Sequence, residues 1–380
     1  MSTLLSSFTW EELRHRTSAK WRAYAPDVLP MWVAEMDTPL APAIEEALVS
    51  ALHRGDTGYA DAGALPEAFA SYARRSYGWR PEPEPMRLVP DVMRGVVEVV
   101  ELVTAPGDRV VVHTPAYPPF FSWMRRIGRT VVESPLARGS DGYEVDLDRL
   151  ERDLASGAEV LLLCNPHNPT GRVFTHEELH HIADLAERHQ VRVLVDEIHA
   201  PLTFPEARHV PFAMLNSPAA ADSVTFVSAS KAWNLAGLKA ALAVPGSAAQ
   251  PVVAEIGVEV SMGAGLPGVL ASTAAFEHGQ GWLDQLRGEL DANRRLLGDL
   301  LARHLPEVRY DLPQATYLAW LDCRELGLGD DPAAVFHERG RVALSPGPGF
   351  GAPGTGFARL NLATAPERIT EAVRRMVAAV

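Results

Sequence analysis

The segment Ser228-Ala229-Ser230-Lys231-Ala232-Trp233-Asn234-Leu235-Ala236-Gly237-Leu238-Lys239 follows the apolar run Val224-Thr225-Phe226-Val227. That run, rich in β-branched and aromatic side chains, reads as a buried strand. Lys231 therefore stands just past a strand end, among hydroxyls and small residues, with a second lysine eight positions on. A solvated loop lysine is one reading of it. The other is a nucleophilic amine able to hold a carbonyl cofactor as a Schiff base.

The chain before it alternates strand and helix signals. Runs that are apolar throughout recur at residues 110–112 and 160–163, and a further strand reads over residues 191–195, apolar but for Arg192 and followed by Asp196-Glu197. Thr175 can cap a helix while Glu178 reaches back to it, and Leu179, Ile182, Ala183, Leu185 and Ala186 give that helix an apolar face. Strands without polar alternation, separated by helices, imply an α/β fold with a mostly parallel central sheet flanked by helices. Ligands of such sheets bind beyond the carboxyl ends of the strands. Past residue 275 the texture changes to a long helix over residues 281–304, a strand over 317–322 and a Gly/Pro loop over 345–356. This predicts a large domain over residues 46–275 and a smaller α+β domain built from residues 1–45 and 276–380.

A chain of 380 residues with 47% hydrophobic side chains can bury a large core, and a net charge of −13 argues against a nucleic-acid surface. Residues 1–16 lack the apolar core of a signal peptide and offer Ser7 or Thr9 as the cap of a short helix. No apolar stretch is long enough to span a bilayer as a helix, so no membrane partner is expected. The two cysteines, Cys164 and Cys323, are too few for a disulfide framework, and a cytoplasmic location is expected. Cys164, in an apolar run, reads as core filler. His113, His167 and His209 are not spaced as metal ligands, and no metal is expected.

Motifs occur in a telling order: Asn165-Pro166-His167-Asn168-Pro169-Thr170-Gly171, then Asp196-Glu197-Ile198-His199, then Ser228-Ala229-Ser230-Lys231 with Lys239 behind it, then Arg359-Leu360-Asn361. Together they resemble the fold-type I pyridoxal 5′-phosphate (PLP) enzymes of the class I/II aminotransferase superfamily, from about residue 26 to the C-terminus. Leu29-Pro30-Met31-Trp32-Val33-Ala34-Glu35-Met36-Asp37 further resembles the MalY/PatB-type branch, that of cystathionine β-lyases and related C–S lyases. That branch usually carries Asp and Phe at the positions of Glu35 and Thr38.

The resemblance implies a role for each matching residue. Lys231 would hold the cofactor covalently and shuttle the substrate's Cα proton, both helped by a lowered amine pKa. Asp196 would pair with the pyridine nitrogen and keep it protonated. Asn168 would hydrogen-bond the phenolic oxygen. His199 stands where many relatives place a tyrosine for that atom, a structural histidine being the alternative. Tyr117 would stack on the ring. The phosphate would meet the Val92 and Met93 amides at a helix N-terminus, the Ser228 hydroxyl, and Lys239 in place of the more usual Arg. Tyr59 would reach the phosphate of a partner subunit, making the functional unit a homodimer. Arg359 would clamp the substrate α-carboxylate. Trp32, Val33 and Ala34 would line the substrate pocket, with the loop at residues 347–351 near its mouth.

The implied function is β-elimination by a C–S lyase acting on cystathionine or a related cysteine S-conjugate, with release of a thiol, pyruvate and ammonia. An aminotransferase on the same scaffold is one alternative. A C–S lyase for a thiol conjugate in a specialised biosynthetic pathway is another. A PLP-binding regulatory protein without turnover is a different class, set back by the completeness of the predicted machinery.

Overall fold

The apolar runs do form strands, and those strands share one sheet. A computed structural model describes residues 3–139 and 142–380; Met1 and Ser2, which open the expected smaller domain, lie outside the described residues. The seven-stranded sheet runs in the order Arg87–Val89, Ala241–Pro245, Val224–Val227, Arg192–Asp196, Ala158–Cys164, Arg109–Thr114, Thr130–Pro135. Ala241–Pro245 alone is antiparallel to its neighbours in this sheet.

Successive strand residues face opposite sides, and here both sides are covered. Val110, Val112, Val160, Leu162, Leu194 and Phe226 pack with the helices Val92–Val103 and Pro118–Arg126. Val111, Leu161, Leu163, Val193 and Val195 pack with Leu147–Ala155 and His176–Arg188. Each such side chain contributes about 1.5–3 kcal/mol by burial, which is why the strands carry no polar alternation. Gly95 lets its helix close on the sheet: a Cβ there would stand 2.9 Å from the Phe226 ring. The helix caps are local. Asp91 accepts from the Arg94 amide at 2.9 Å, and Thr175 and Glu178 form the expected reciprocal box. Of the two candidates at the N-terminus, Thr9 caps Trp10–Arg14, again reciprocally with Glu12.

A four-stranded antiparallel sheet follows, ordered Arg309–Tyr310, Leu318–Asp322, Phe357–Asn361, Ser345–Pro346. Its helices include Gln280–His304, which buries Leu283, Leu286, Leu290, Leu297 and Leu301. Leu29–Pro30 pairs in parallel with Val342–Ala343, so the N-terminal segment is stitched to the C-terminal part. Among the described residues no helix is long and apolar enough to cross a membrane.

The arrangement fixes where chemistry can sit. Thr114, Cys164, Asp196 and Val227 end four parallel strands at one edge of the large sheet. Three of them run into the motifs that begin at Asn165, Asp196 and Ser228, and Thr114 leads to Tyr117.

Candidate active site

At that edge lies a cavity of about 570 Å³. Lys231, Asp196, Asn168, His199, Tyr117 and Arg359 line it, as do Val92, Met93, Lys239, Val33 and Ala34. Residues far apart in sequence are thus brought together where the motifs place them. Trp32, Ser228 and Tyr59 are not among the lining residues. The Trp32 indole packs edge-on against Tyr24 at 5.8 Å between centroids, and only its carbonyl turns to the site, accepting from Arg359 at 3.3 Å. The Ser228 hydroxyl donates to the Ala240 carbonyl at 2.7 Å and accepts from the Ser230 amide at 3.1 Å. Ser230, quoted in the motif but given no role from sequence, lines the cavity instead. Tyr59 is 85% exposed on the surface of this chain.

The electrostatics follow from burial. Burial lowers the Lys231 amine to about 8, with Arg359 adding to the effect and Asp196 opposing it. Its Nζ donates to the Ala34 carbonyl at 3.3 Å, and the Tyr317 hydroxyl donates to the same oxygen at 3.1 Å. Burial raises Asp196 to about 6; its Oδ1 accepts from the Ile198 amide at 3.0 Å. Burial holds His199 down at about 3, with Lys231 and Arg359 adding to it, so the imidazole is neutral at physiological pH, and its Nδ1 is buried without a partner. Arg359 donates from Nη1 to Asn168 Oδ1 at 3.0 Å and from Nη2 to Ser345 Oγ at 3.2 Å, while its Nε is buried and unpaired. It has no acidic partner among the described residues, and its guanidinium lies 5.0 Å from the centroid of the Phe350 ring. The 347–351 loop therefore does border the site.

These groups fit PLP on their own chemistry. A buried carboxylate held above its ordinary range lacks a cationic N–H. A neutral imidazole and an amide face the same space. At the opposite end the Val92–Val103 helix opens toward the cavity with its first amides, and Lys239 stands beside it, 2.9 Å from Asp91 Oδ2. An amine near pH 8 is nucleophilic at physiological pH. Among the described residues no group of His, Cys, Asp and Glu is arranged to hold a metal ion.

One wall of the cavity is held from behind. Asn361 Nδ2 donates to the Val33 and Glu35 carbonyls at 2.6 and 2.7 Å, and Asn234 bonds both the amide and the carbonyl of Met36. Beneath them Lys20 and Asp37 form an ion pair at 2.9 Å with each side chain 1% exposed, and Trp21 Nε1 donates to Asp37 at 3.2 Å. Sequence reasoning missed this pair, because a charge on a short amphipathic turn looks solvated. Glu35 and Thr38, where the chain departs from its branch, do not line the cavity; the Glu35 carboxylate accepts from Ser18 and Thr38 is buried. The departures thus sit behind the wall. Asp37→Ala would leave the Lys20 ammonium buried without its counter-charge. Its expected cost is about 3–5 kcal/mol of stability, read as a lowered denaturant midpoint; a change under 1 kcal/mol would mean the pair is effectively solvated.

Comparison with known proteins bears on the same site. The chain matches the family model described as aminotransferase class I and II over residues 26–376. A protein of Mycobacterium tuberculosis strain H37Rv, provisionally named a cystathionine β-lyase, is 47% identical over 98% of this chain and 97% of its own. The cystathionine β-lyase of Corynebacterium glutamicum is 37% identical, covering 96% of this chain and 97% of its own. A solved structure from Corynebacterium diphtheriae, provisionally described as a PLP-dependent β-cystathionase, superposes with a TM-score of 0.93 at 37% identity, covering 100% of this chain and 99% of that one.

Proposed function

The chain belongs to the class I and II aminotransferase family, and on that premise we propose that its cavity carries out β-elimination on cysteine S-conjugates. It is a PLP-dependent C–S lyase, taking cystathionine or a related conjugate, with water, to a thiol, pyruvate and ammonia. The observation that carries this reading is Lys231, a buried amine brought down to about 8 in the same cavity as a carboxylate brought up to about 6.

PLP, when bound, supplies an electron sink conjugated to the substrate's Cα. Lys231 would hold its carbonyl carbon, Asp196 its ring nitrogen, Asn168 and His199 its phenolic oxygen, and Tyr117 a ring face. The Val92 and Met93 amides, Ser230 with Ser228 behind it, and Lys239 would hold the phosphate. Arg359 orients the α-carboxylate, for which it has a free Nε and no competing acid. Lys231 Nζ in its neutral form takes the Cα proton and returns it to the departing sulfur. Val33, Ala34, Pro119, Trp123 and Val260 supply an apolar wall beside these groups, and a dry wall strengthens each charge interaction.

Tyr59 is proposed to reach the phosphate of a second copy, its exposure supporting that role, so the working unit is a homodimer. Residues 46–275 are proposed as the cofactor-binding domain, residues 1–45 and 276–380 as the smaller one, and the cytoplasm as the location.

The amine sets a pH dependence. Only neutral Lys231 attacks a carbonyl, so covalent capture of PLP by the cofactor-free protein should rise about tenfold per pH unit below pH 8 and level off above it. Borohydride fixation at timed intervals measures the rate. A plateau reached only near pH 10 would mean that burial does not tune this lysine. The function itself is tested by supplying L-cystathionine to the holoenzyme without a 2-oxo acid and assaying pyruvate and thiol.

A further inference from the structure

A second cavity, of about 530 Å³, shares no lining residue with the active site. Its buried end is His209, which is 4% exposed. Nε2 of that ring lies 3.3 Å from Glu197 Oε2, and both Nε2 and Nδ1 are buried with no hydrogen-bond partner. Leaving such atoms unpaired is costly, and a polar atom of a molecule bound in the cavity that His209 lines would relieve it. Toward solvent stands Arg208, exposed and without a hydrogen bond or ion pair to any described residue. The other arginine of the cavity is spent: Arg172 holds both Glu178 oxygens at 2.9 Å and donates to the Tyr143 and Val173 carbonyls. Val210 and Met214, the latter 39% exposed, give the space an apolar flank.

A free guanidinium, an orphaned imidazole nitrogen and an apolar flank in a space of this size describe a site for a small organic acid. An imidazole N–H at Nδ1 can donate to a ligand carboxylate. Glu197 is also tied down, its Oε1 accepting from the Phe212 amide at 2.9 Å, and it directly follows Asp196 on the chain. We propose that this cavity is a second, non-catalytic binding site for a small carboxylate with an apolar body, held by Arg208 and His209. Its occupancy is felt at Asp196 through Glu197, and so in turnover.

The test is calorimetric titration of the holoenzyme with 4-methylpentanoate, with 4-methylpentan-1-ol as the uncharged control. Binding is read without turnover, so its outcome is separate from that of the lyase reading. One saturable site is expected, the alcohol binding at least about tenfold more weakly. Arg208→Glu, an exposed change, should weaken the carboxylate about tenfold or more and leave basal kcat and KM unaltered. Met214→Glu should also weaken it by placing a negative charge in the apolar flank. With substrate present, the carboxylate should change kcat, not merely raise KM. Absence of saturable binding overturns the site. So does binding that competes with substrate and ignores Arg208→Glu, since that is capture by Arg359. Arg208-dependent binding with no change in kcat overturns the coupling to Asp196.

Discussion

Lys231→Ala is expected to lower kcat for elimination by at least about 10⁴-fold. Two losses combine in it. The chain loses the nucleophile that holds the cofactor, and it loses the base that carries the Cα proton. No other side chain in the cavity can stand in. His199 is neutral but held at about 3, too weak a base. Asp196 is committed to the far side of the ring in the proposed arrangement, and Tyr117 is pushed up by burial. The fold should survive, because the Ala34 carbonyl left by Nζ keeps the Tyr317 hydroxyl as its donor. The expected pattern is an unchanged circular dichroism spectrum, no borohydride-fixable cofactor, and partial rescue of turnover by added methylamine. Residual activity within tenfold of the parent would remove Lys231 from the chemistry.

Asp196→Asn should cost about 10²–10³-fold in kcat, the range for a fixed charge aimed at developing charge. Asn keeps the shape and the acceptor for the Ile198 amide but cannot stabilise a protonated ring nitrogen. The loss belongs in kcat, not KM, because Arg359 still holds the substrate. A second readout separates this from a structural defect. The folded-state value of Asp196, about 6, lies above the ordinary aspartate value of 3.8. The ionised form is therefore disfavoured in the folded cofactor-free protein. That cost is absent below pH 4, grows as pH rises, and is complete above pH 6. Cofactor-free Asp196→Asn should accordingly be more stable than the parent at pH 7, by on the order of 3 kcal/mol at most. The difference should vanish below pH 4. Equal stability at pH 7 together with unchanged kcat would contradict both the buried charge and its role.

How much of this was legible in the chain follows from what each residue does locally. Strands buried on both faces, such as Val160 to Cys164, announce themselves because no polar residue interrupts them. The site motifs are legible because they sit at the ends of those strands, where the chain must turn. Ser228 and Ser230 illustrate the limit. Both flank the strand end and differ only in which way the backbone points them, so sequence alone could not show that Ser228 is spent on the Ala240 carbonyl. Trp32 is a similar case, since a large aromatic beside a pocket serves equally as core. Lys20 and Asp37 were hidden for another reason. Their burial is created by the packing of Trp21 and the chain around residues 361–363, which no local pattern encodes.

The most direct measurement follows pyruvate and free thiol together after mixing PLP-loaded protein with excess L-cystathionine and no 2-oxo acid. A lyase turns over without a second substrate. Both products should therefore appear in equal amounts and continue to many times the enzyme concentration. A transaminase lacking its amino acceptor stops once the bound cofactor has taken one amino group. Absence of pyruvate and thiol, with cystathionine converted only to its own 2-oxo acid in one equivalent of enzyme and sustained turnover restored only by an added 2-oxo acid, would contradict the elimination reading.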